Sequence, residues 1–206
     1  MPEALRIESP MTVRDFEAFL DAQTGGARWE LVAGRVVAMT DPNERHEKIA
    51  SNLGARLTLA MDAIGCHTYR GGMGVRISDD PGGADRPRPD AVVRCGTVTE
   101  RNFVTDPVVI AEVLSPSTMD YDRGEKSRFY KQLPTLRHIV LIYQDQMRVE
   151  HFRRAGDVWS WETLTQPEDD LLLDAVGFTV ALERLYFAIE FANARTARRS
   201  GAANPC

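Results

Sequence analysis

The feature that most constrains the fold of this 206-residue sequence is one nearly continuous apolar run, PVVIAEVL at residues 107–114. A half-exposed strand alternates apolar and polar residues, whereas a continuous β-rich run is typical of a strand buried on both faces. We therefore expect a central strand that is covered on each side. Glu112 lies inside the run, and a buried carboxylate without a partner is strongly destabilising.

Two explanations for Glu112 remain open at this point. The carboxylate pairs with an arginine or faces solvent at the end of the strand, or a metal ion neutralises its charge. Asp90 opens the preceding candidate strand, DAVVRC, although an aspartate after proline usually belongs to a turn. If the two strands are neighbours, both acids lie at one edge of the sheet, and two carboxylates with room for water form a natural Mg²⁺ site.

Lys126 lies on the apolar stripe of a predicted helix, DRGEKSRFYKQL, with Phe129, Tyr130 and Leu133 at helical spacing. A lysine on an inward face either extends its ammonium group to solvent or has a buried anionic partner. Asp122, one turn earlier, is the simpler partner, and a metal-bound phosphate is the alternative.

Glu30 and His46 are the remaining polar residues at positions of interest. Glu30 lies in the predicted hairpin RWELVAGRVVAM, where an acid is typical of the solvent-facing side of a strand. His46 lies on the inward face of a long predicted helix over residues 43–64. A single histidine there is more often a core or rim residue than a ligand, and the other three histidines show no metal-ligand spacing.

The remaining elements give a predicted fold of class α/β (α+β), a mixed β-sheet flanked by helices. A helix with Thr12 as N-cap precedes the hairpin, and ALERLYFAIEF is expected to close the chain as a helix. CHTYR and GVRIS are expected to be short extended pieces around a glycine-rich turn. Further strands of the sheet are predicted at RHIVLIYQ, MRVEHFRR, VWSWETL and DLLLDAV. The predicted organisation is an extension over 1–10, one domain over 11–191 and a flexible tail over 192–206.

Composition limits the function classes. No run approaches the roughly 18 uncharged apolar residues of a membrane span, and the acid- and proline-containing N-terminus does not resemble a signal peptide, so we expect a cytoplasmic protein without membrane contact. The three cysteines form no CxxC pair, which argues against a disulfide framework or a zinc cluster. The net charge of −5 means that nucleic-acid binding would need a local basic patch, for which Arg86 and Arg88 are candidates.

The order of these motifs resembles that of a known family. Pro89-Asp90 is followed, after twenty-one residues, by Glu112-Val113-Leu114, which is similar to the Pro-Asp … Asp/Glu-x-Lys signature of restriction-endonuclease-like nucleases. WELVAGRVVAM, His46, RPDAVV, VVIAEVLSPST and DYDRGEKSRFY resemble, in this order, the Uma-two family of endonucleases within that superfamily. The resemblance spans roughly residues 11–190.

The resemblance implies a Mg²⁺- or Mn²⁺-dependent endonuclease acting on DNA. The implied metal ligands are Asp90, Glu112 and Glu30, with the Val113 carbonyl as a further candidate. The superfamily lysine is expected at position 114, where this chain has leucine, and Lys126 matches the lysine that takes its place in this family. His46 matches a family histidine, so the implied catalytic set is Glu30, His46, Asp90, Glu112 and Lys126.

Two functions stay open from the sequence. The first is the metal-dependent endonuclease, for which a homodimer is expected by analogy because cutting two strands needs two sites. The second is a non-catalytic or regulatory interaction protein on the same fold, which the acidic net charge and the leucine at position 114 favour.

Overall fold

The apolar run around Glu112 forms the centre of the fold. The structure, a computed structural model, describes residues 10–116 and 119–191. Strand β7 (Val109–Leu114) is buried along its whole length. Its parallel neighbour β8 (His138–Tyr143) is also buried throughout. The prediction of a central strand covered on both faces is therefore confirmed.

Six strands form a mixed sheet, which confirms the predicted fold class. Its order is β10-β9-β8-β7-β5-β3, and every neighbouring pair except β7 and β8 is antiparallel. The bounds of the other four strands are β3 (Cys66–Arg70), β5 (Ala91–Cys95), β9 (Val149–Ala155) and β10 (Val158–Leu164). The β5–β7 register sets Ala91 opposite Ala111, so Asp90 and Glu112 lie at the same end of two adjacent strands.

One face of the sheet is covered by the long helix α2 (Glu44–Asp62). Asn43 begins the helix because its side chain accepts a hydrogen bond from the His46 amide at 2.9 Å. The predicted helix over residues 43–64 is confirmed, and its residues at a four-residue step are buried in the core: Ile49, Leu53, Leu57 and Met61. Because Asn43 fixes the first turn, His46 is held at the end of the sheet where Asp90 lies.

The opposite face is covered by the segment that carries Lys126. It consists of α3 (Met119–Tyr121), a π-helical turn (Asp122–Lys126) and α4 (Ser127–Tyr130), so the predicted helix is interrupted. The Ser127 amide donates to the Asp122 carbonyl, five residues earlier. The wider turn places both Asp122 and Lys126 inside, each about 5% exposed. Such π turns occur frequently at functional sites.

The N-terminal elements form a lid over this end of the sheet. Helix α1 (Val13–Ala22) is capped by Thr12 as predicted, and the hairpin consists of β1 (Trp29–Val32) and β2 (Arg35–Ala38). Leu31 and Arg86 exchange two backbone hydrogen bonds, at 2.7 and 3.3 Å, which dock the hairpin against the loop before Asp90. The loop region also contains a small parallel pair, β4 (Gly74–Val75) and β6 (Phe103–Val104).

Two predictions for the C-terminal part are wrong. DLLLDAV is not a strand of the main sheet. Instead β11 (Asp170–Leu173) pairs with β12 (Phe178–Ala181), and a 3₁₀ turn (Asp174–Val176) and a left-handed Gly177 lie between them. The helix expected over 181–191 is only α5 (Leu182–Leu185). Ala188 has a φ of 65°, which a continuing helix does not allow.

The cysteines also correct a prediction. Cys66 and Cys95 lie opposite each other in the β3–β5 pair, with Cα atoms 4.1 Å apart, and form a disulfide. A disulfide between two strands leaves no short spacing signal in the sequence. Only the register of β3 against β5 shows that the two cysteines face each other. The prediction against a disulfide framework was wrong for this pair.

No helix within residues 10–116 and 119–191 combines the length and apolar character needed to cross a bilayer. The predicted N-terminal extension, apart from Pro10, and the predicted C-terminal tail lie outside the described residues.

Candidate active site

All five residues that the sequence analysis selected line one cavity. The cavity has a volume of about 1290 Å³ and lies at the carboxyl end of β7, between the hairpin, α2 and the π-helical turn. Glu30 comes from β1, His46 from α2, Asp90 from the start of β5, Glu112 from β7 and Lys126 from the π turn. Residues far apart in sequence are therefore brought together by the register of the sheet and the docking of the hairpin.

Lys126 lies at the centre of three carboxylates. Its ammonium nitrogen is 3.0 Å from Asp122, 3.1 Å from Glu30 and 3.4 Å from Glu112. Of the two sequence interpretations, extension to solvent is wrong and a buried anionic partner is correct. Burial by itself lowers the pKa of Lys126, but the three carboxylates outweigh it and raise the pKa well above its usual value, so the ammonium group stays charged.

Within the described residues, Glu112 neither forms an ion pair with an arginine nor faces solvent. Its carboxylate accepts a hydrogen bond of 2.6 Å from the Tyr130 hydroxyl and lies beside Lys126. Burial raises the pKa of Glu112 well above the ordinary value although the charge of Lys126 opposes the shift, and the negative charges of Asp122, Asp90 and Glu30 add to it. The site therefore disfavours a charge on Glu112 unless a further cation is close.

Asp90 has two fixed partners. Its Oδ2 atom accepts a 2.7 Å hydrogen bond from the Val113 amide on the neighbouring strand. The same atom lies 3.3 Å from His46 Nε2. Burial alone lowers the pKa of His46, but its hydrogen bond to Asp90 and the charge of that residue outweigh burial and raise the pKa. Asp90 is thus held in place from both β7 and α2.

Glu30 corrects the prediction of a solvent-facing acid, because only 3% of it is exposed. One carboxylate oxygen, Oε2, accepts from the Arg88 amide at 3.2 Å and from the Lys126 ammonium group at 3.1 Å. Burial raises the pKa of Glu30 even though Lys126 opposes the shift. The hairpin covers this face of β1 by docking it onto the loop at Arg86, a contact that strand alternation alone does not predict.

The donor set fits a divalent cation held by two carboxylates. Within the described ranges, no group of three or more His, Cys, Asp or Glu side chains is arranged to enclose a metal ion. Mg²⁺, however, often binds through only one or two carboxylates and keeps several waters. Asp90 and Glu112 offer such oxygens on the wall of an open cavity, and a cation bound there would favour the charged form of Glu112.

Several residues in or beside the cavity were not found from the sequence. The Tyr130 hydroxyl was missed because its ring belongs to an apolar stripe. Arg28, Arg70 and Gln144 also line the cavity, and no local motif marks them. Arg88 lines it as expected, whereas the expectation for Arg86 was wrong.

Arg86 is buried away from the cavity. Its guanidinium group lies 5.8 Å from the Phe16 ring centre and donates to the Asn102 carbonyl. The docking of the hairpin therefore separates two arginines that are only two positions apart in the sequence.

Comparison with known proteins agrees with this arrangement. The model of the Uma2 family, described as "Putative restriction endonuclease", matches residues 14–183. The chain belongs to the Uma2 family. The resemblance inferred from the sequence motifs is thereby confirmed, and Uma2 membership supports a nuclease-like enzyme.

Relatives of this Uma2 protein occur in Synechocystis sp. (strain ATCC 27184 / PCC 6803 / Kazusa). "Uncharacterized protein slr1290" is 27% identical over 165 residues, covering 79% of this chain and 85% of the relative. "Uncharacterized protein sll1609" is 29% identical over 132 residues, covering 62% and 73%. A crystal structure from Anabaena variabilis ATCC 29413, described as "a putative nuclease belonging to DUF820", superimposes with a TM-score of 0.68 at 15% identity. It covers 86% of this chain and 98% of that one, and so shows that the two share a fold.

Proposed function

We propose that this Uma2 protein is a divalent-metal-dependent endonuclease that hydrolyses phosphodiester bonds in DNA. The observation that carries the proposal is the meeting of Asp90, Glu112 and Lys126 in one cavity at the end of the central strand. A buried ammonium group beside two carboxylates that face a common cavity is the set of groups that metal-assisted phosphoryl transfer needs.

In this proposal Asp90 and Glu112 hold Mg²⁺ or Mn²⁺. When bound, the ion supplies Lewis-acid activation of water and charge compensation at the phosphoryl group. His46 and the Val113 amide fix the orientation of Asp90, and Tyr130 fixes that of Glu112. The carboxylates are therefore already oriented in the folded chain before substrate binds.

Lys126 is the residue assigned to the reacting phosphate. Its permanent charge stabilises the negative charge that develops on the phosphoryl oxygens in the transition state. Glu30 and Asp122 hold the ammonium group in position, at 3.1 and 3.0 Å. A contact of Glu30 with the metal or its water, implied by the family resemblance, remains a prediction.

The decisive experiment measures cleavage and metal binding together. Purified protein is incubated with supercoiled plasmid in Mg²⁺, Mn²⁺ or EDTA, and Mn²⁺ binding is measured by calorimetry. We expect nicking only with metal, loss of both signals in Asp90→Ala, and loss of turnover with retained Mn²⁺ binding in Lys126→Gln. Glu100→Ala, an exposed acid outside the cavity, is the control and is expected to match the wild type.

Other outcomes decide against the proposal. A wild-type protein that neither nicks nucleic acid nor binds Mn²⁺ would favour the alternative, a non-catalytic interaction protein on this fold. Nicking that persists in a correctly folded Asp90→Ala variant would assign the activity to a different site or to a contaminant.

A further inference from the structure

The cavity wall carries a group of arginines that the proposed chemistry does not use. Four arginines line the cavity. Arg35 forms an ion pair with Glu125. Among the described residues, Arg28, Arg70 and Arg88 form no ion pair with any carboxylate. In a chain with a net charge of −5, three arginines without ion-pair partners in the lining of one cavity point to an anionic ligand.

Backbone carbonyls hold two of these arginines beside Asp90. Arg28 Nη1 donates to the Gly71 carbonyl at 3.4 Å, and Arg88 Nη2 donates to the Gly72 carbonyl at 2.9 Å. The Gly71 amide in turn donates to the Asp90 carbonyl at 3.0 Å. Both guanidinium groups are therefore held by the turn after β3, whose backbone is hydrogen-bonded to that of Asp90.

The charge of these two arginines is only partly compensated. Arg88 is half-buried, and its buried Nε atom has no hydrogen-bond partner within the described part of the chain. The guanidinium groups of Arg28 and Arg88 are held by the carbonyls of two consecutive residues, Gly71 and Gly72. Like charges kept close, with a donor left over, are expected where an anionic ligand binds.

The third arginine reaches the cavity across a glycine. A Cβ atom added to Gly54 of α2 would lie 2.4 Å from Arg70 Cδ, and its three nearest atoms all belong to the Arg70 side chain. Only glycine at position 54 lets the stem of Arg70 cross the buried side of the helix in this conformation. Arg70 is thus positioned by packing, and its charged end is left without a carboxylate.

We propose that Arg28, Arg70 and Arg88 form a subsite for a backbone phosphate of a nucleic-acid strand, next to the phosphate that meets Asp90 and Glu112. The inference rests on the proposed function and adds the substrate contact that the acids cannot supply. Guanidinium groups are the side chains best suited to bidentate contact with phosphate. A volume of about 1290 Å³, larger than the roughly 300–1,000 Å³ of small-molecule sites, leaves room for more than one nucleotide.

The test measures binding without cleavage. Labelled 12-nucleotide single-stranded DNA, the same sequence as RNA, and the DNA duplex are titrated with protein in EDTA, followed by fluorescence anisotropy at several salt concentrations. For Arg28→Ala/Arg88→Ala we expect at least about tenfold weaker binding of single-stranded DNA. We also expect a salt slope, log K against log[salt], that is less steep by about 0.7 for each lost phosphate contact. The probe that binds most tightly identifies the source of the phosphate.

Two further variants sharpen the result. Gly54→Ala keeps all three arginines but displaces Arg70, and is expected to weaken binding while the far-ultraviolet circular dichroism stays unchanged. Arg137→Ala removes an exposed arginine outside the cavity, just before β8, and is expected to bind like the wild type.

The outcomes separate this inference from the proposed function. Wild-type protein that binds none of the probes, or Arg28→Ala/Arg88→Ala that binds like the wild type, overturns the subsite. Arginine-dependent binding without metal-dependent nicking supports the subsite while the proposed nuclease activity fails.

Discussion

At the scale of single residues, the charge of Lys126 stabilises three buried carboxylates. Replacing it by methionine keeps the length of the side chain and removes the ammonium group that lies within 3.4 Å of Glu30, Glu112 and Asp122. Removing one partner of a buried ion pair typically costs about 3–5 kcal/mol. We therefore expect Lys126→Met to lower the free energy of unfolding by this amount, measured by urea titration at pH 7.

Lys131→Met is the matched control for this prediction. Lys131 lies on the same segment, 4.5 Å from the Phe152 ring centre, and contacts no carboxylate among the described residues. We expect a loss of less than about 1 kcal/mol. If the two variants lose similar stability, Lys126 is not the counter-charge of the cluster.

The hydroxyl of Tyr130 is a second test at this scale. Tyr130→Phe preserves the buried ring but removes the 2.6 Å hydrogen bond to Glu112, and leaving a buried acceptor without its donor costs about 1–3 kcal/mol. Urea unfolding is expected to show a loss of about that size. Tyr121→Phe is the control, because the buried Tyr121 hydroxyl has no hydrogen-bond partner in the described structure. Its removal is expected to leave stability unchanged or raise it, so equal losses would contradict the role of Tyr130.

The sequence identified which residues needed a partner, but not which partners they have. An acid in an apolar strand needs a polar or charged partner, and Glu112 has two, the Tyr130 hydroxyl and the Lys126 ammonium group. The partner Tyr130 was hidden because a tyrosine and a phenylalanine look alike in an apolar helical pattern. Glu30 was assigned to a solvent-facing strand because its burial depends on the long-range contact between Leu31 and Arg86, which no local pattern contains.

At the scale of elements, periodicity predicted α2 and β7 well because each buries a continuous set of apolar residues. It failed for the segment over 181–191, where Ala188 leaves the helical region. It also could not supply the β3–β5 register, which alone shows that Cys66 faces Cys95. Local patterns therefore predict which elements exist, whereas pairing between distant strands depends on the assembled sheet.

Gly54 in the middle of α2 gives a prediction for an element. An alanine in a helix interior is favoured over glycine by up to about 1 kcal/mol, and the added methyl group meets only the flexible Arg70 side chain among its nearest atoms. Gly54→Ala is therefore expected to raise the midpoint of thermal unfolding, measured by circular dichroism. A clear decrease of the midpoint would show that Arg70 cannot move aside and that the contact is part of the core.

At the scale of the whole molecule, the distribution of charge matters more than its sum. The net charge of −5 argued against nucleic-acid binding without a local basic patch. In the structure, Arg28, Arg70 and Arg88 line the same cavity as the acids. Because the three arginines come from three separate segments, the patch exists only in the folded chain.

The global stability is also expected to depend on pH through two buried histidines outside the cavity. His138 Nδ1 lies 3.0 Å from His151 Nε2, and His138 Nε2 lies 3.3 Å from both the Ala175 amide and Asp174 Oδ1. His151 donates from Nδ1 to Glu162 at 3.0 Å. The two rings link β8 to β9 and, through Glu162, to β10, and burial lowers the pKa of both and so favours their neutral forms.

Burial lowers the pKa of His138 to about 4. The neighbouring His151 and Arg153 lower it further, and Asp174 opposes the shift. In the unfolded chain a histidine titrates near pH 6.5, so between pH 6.5 and 4 the unfolded state binds a proton that the native state does not. The stability contributed by neutral His138 is therefore fully present above pH 6.5 and is lost as the pH falls towards 4, by about 3 kcal/mol.

The experiment measures the unfolding free energy of the wild type and of His138→Gln by urea titration at pH 4.5, 5.5 and 7. Because both proteins contain the same carboxylates, the difference between their unfolding free energies reports on His138. We expect the unfolding free energy of the wild type to fall more steeply with acidification, and parallel curves would show that His138 is already protonated in the folded protein.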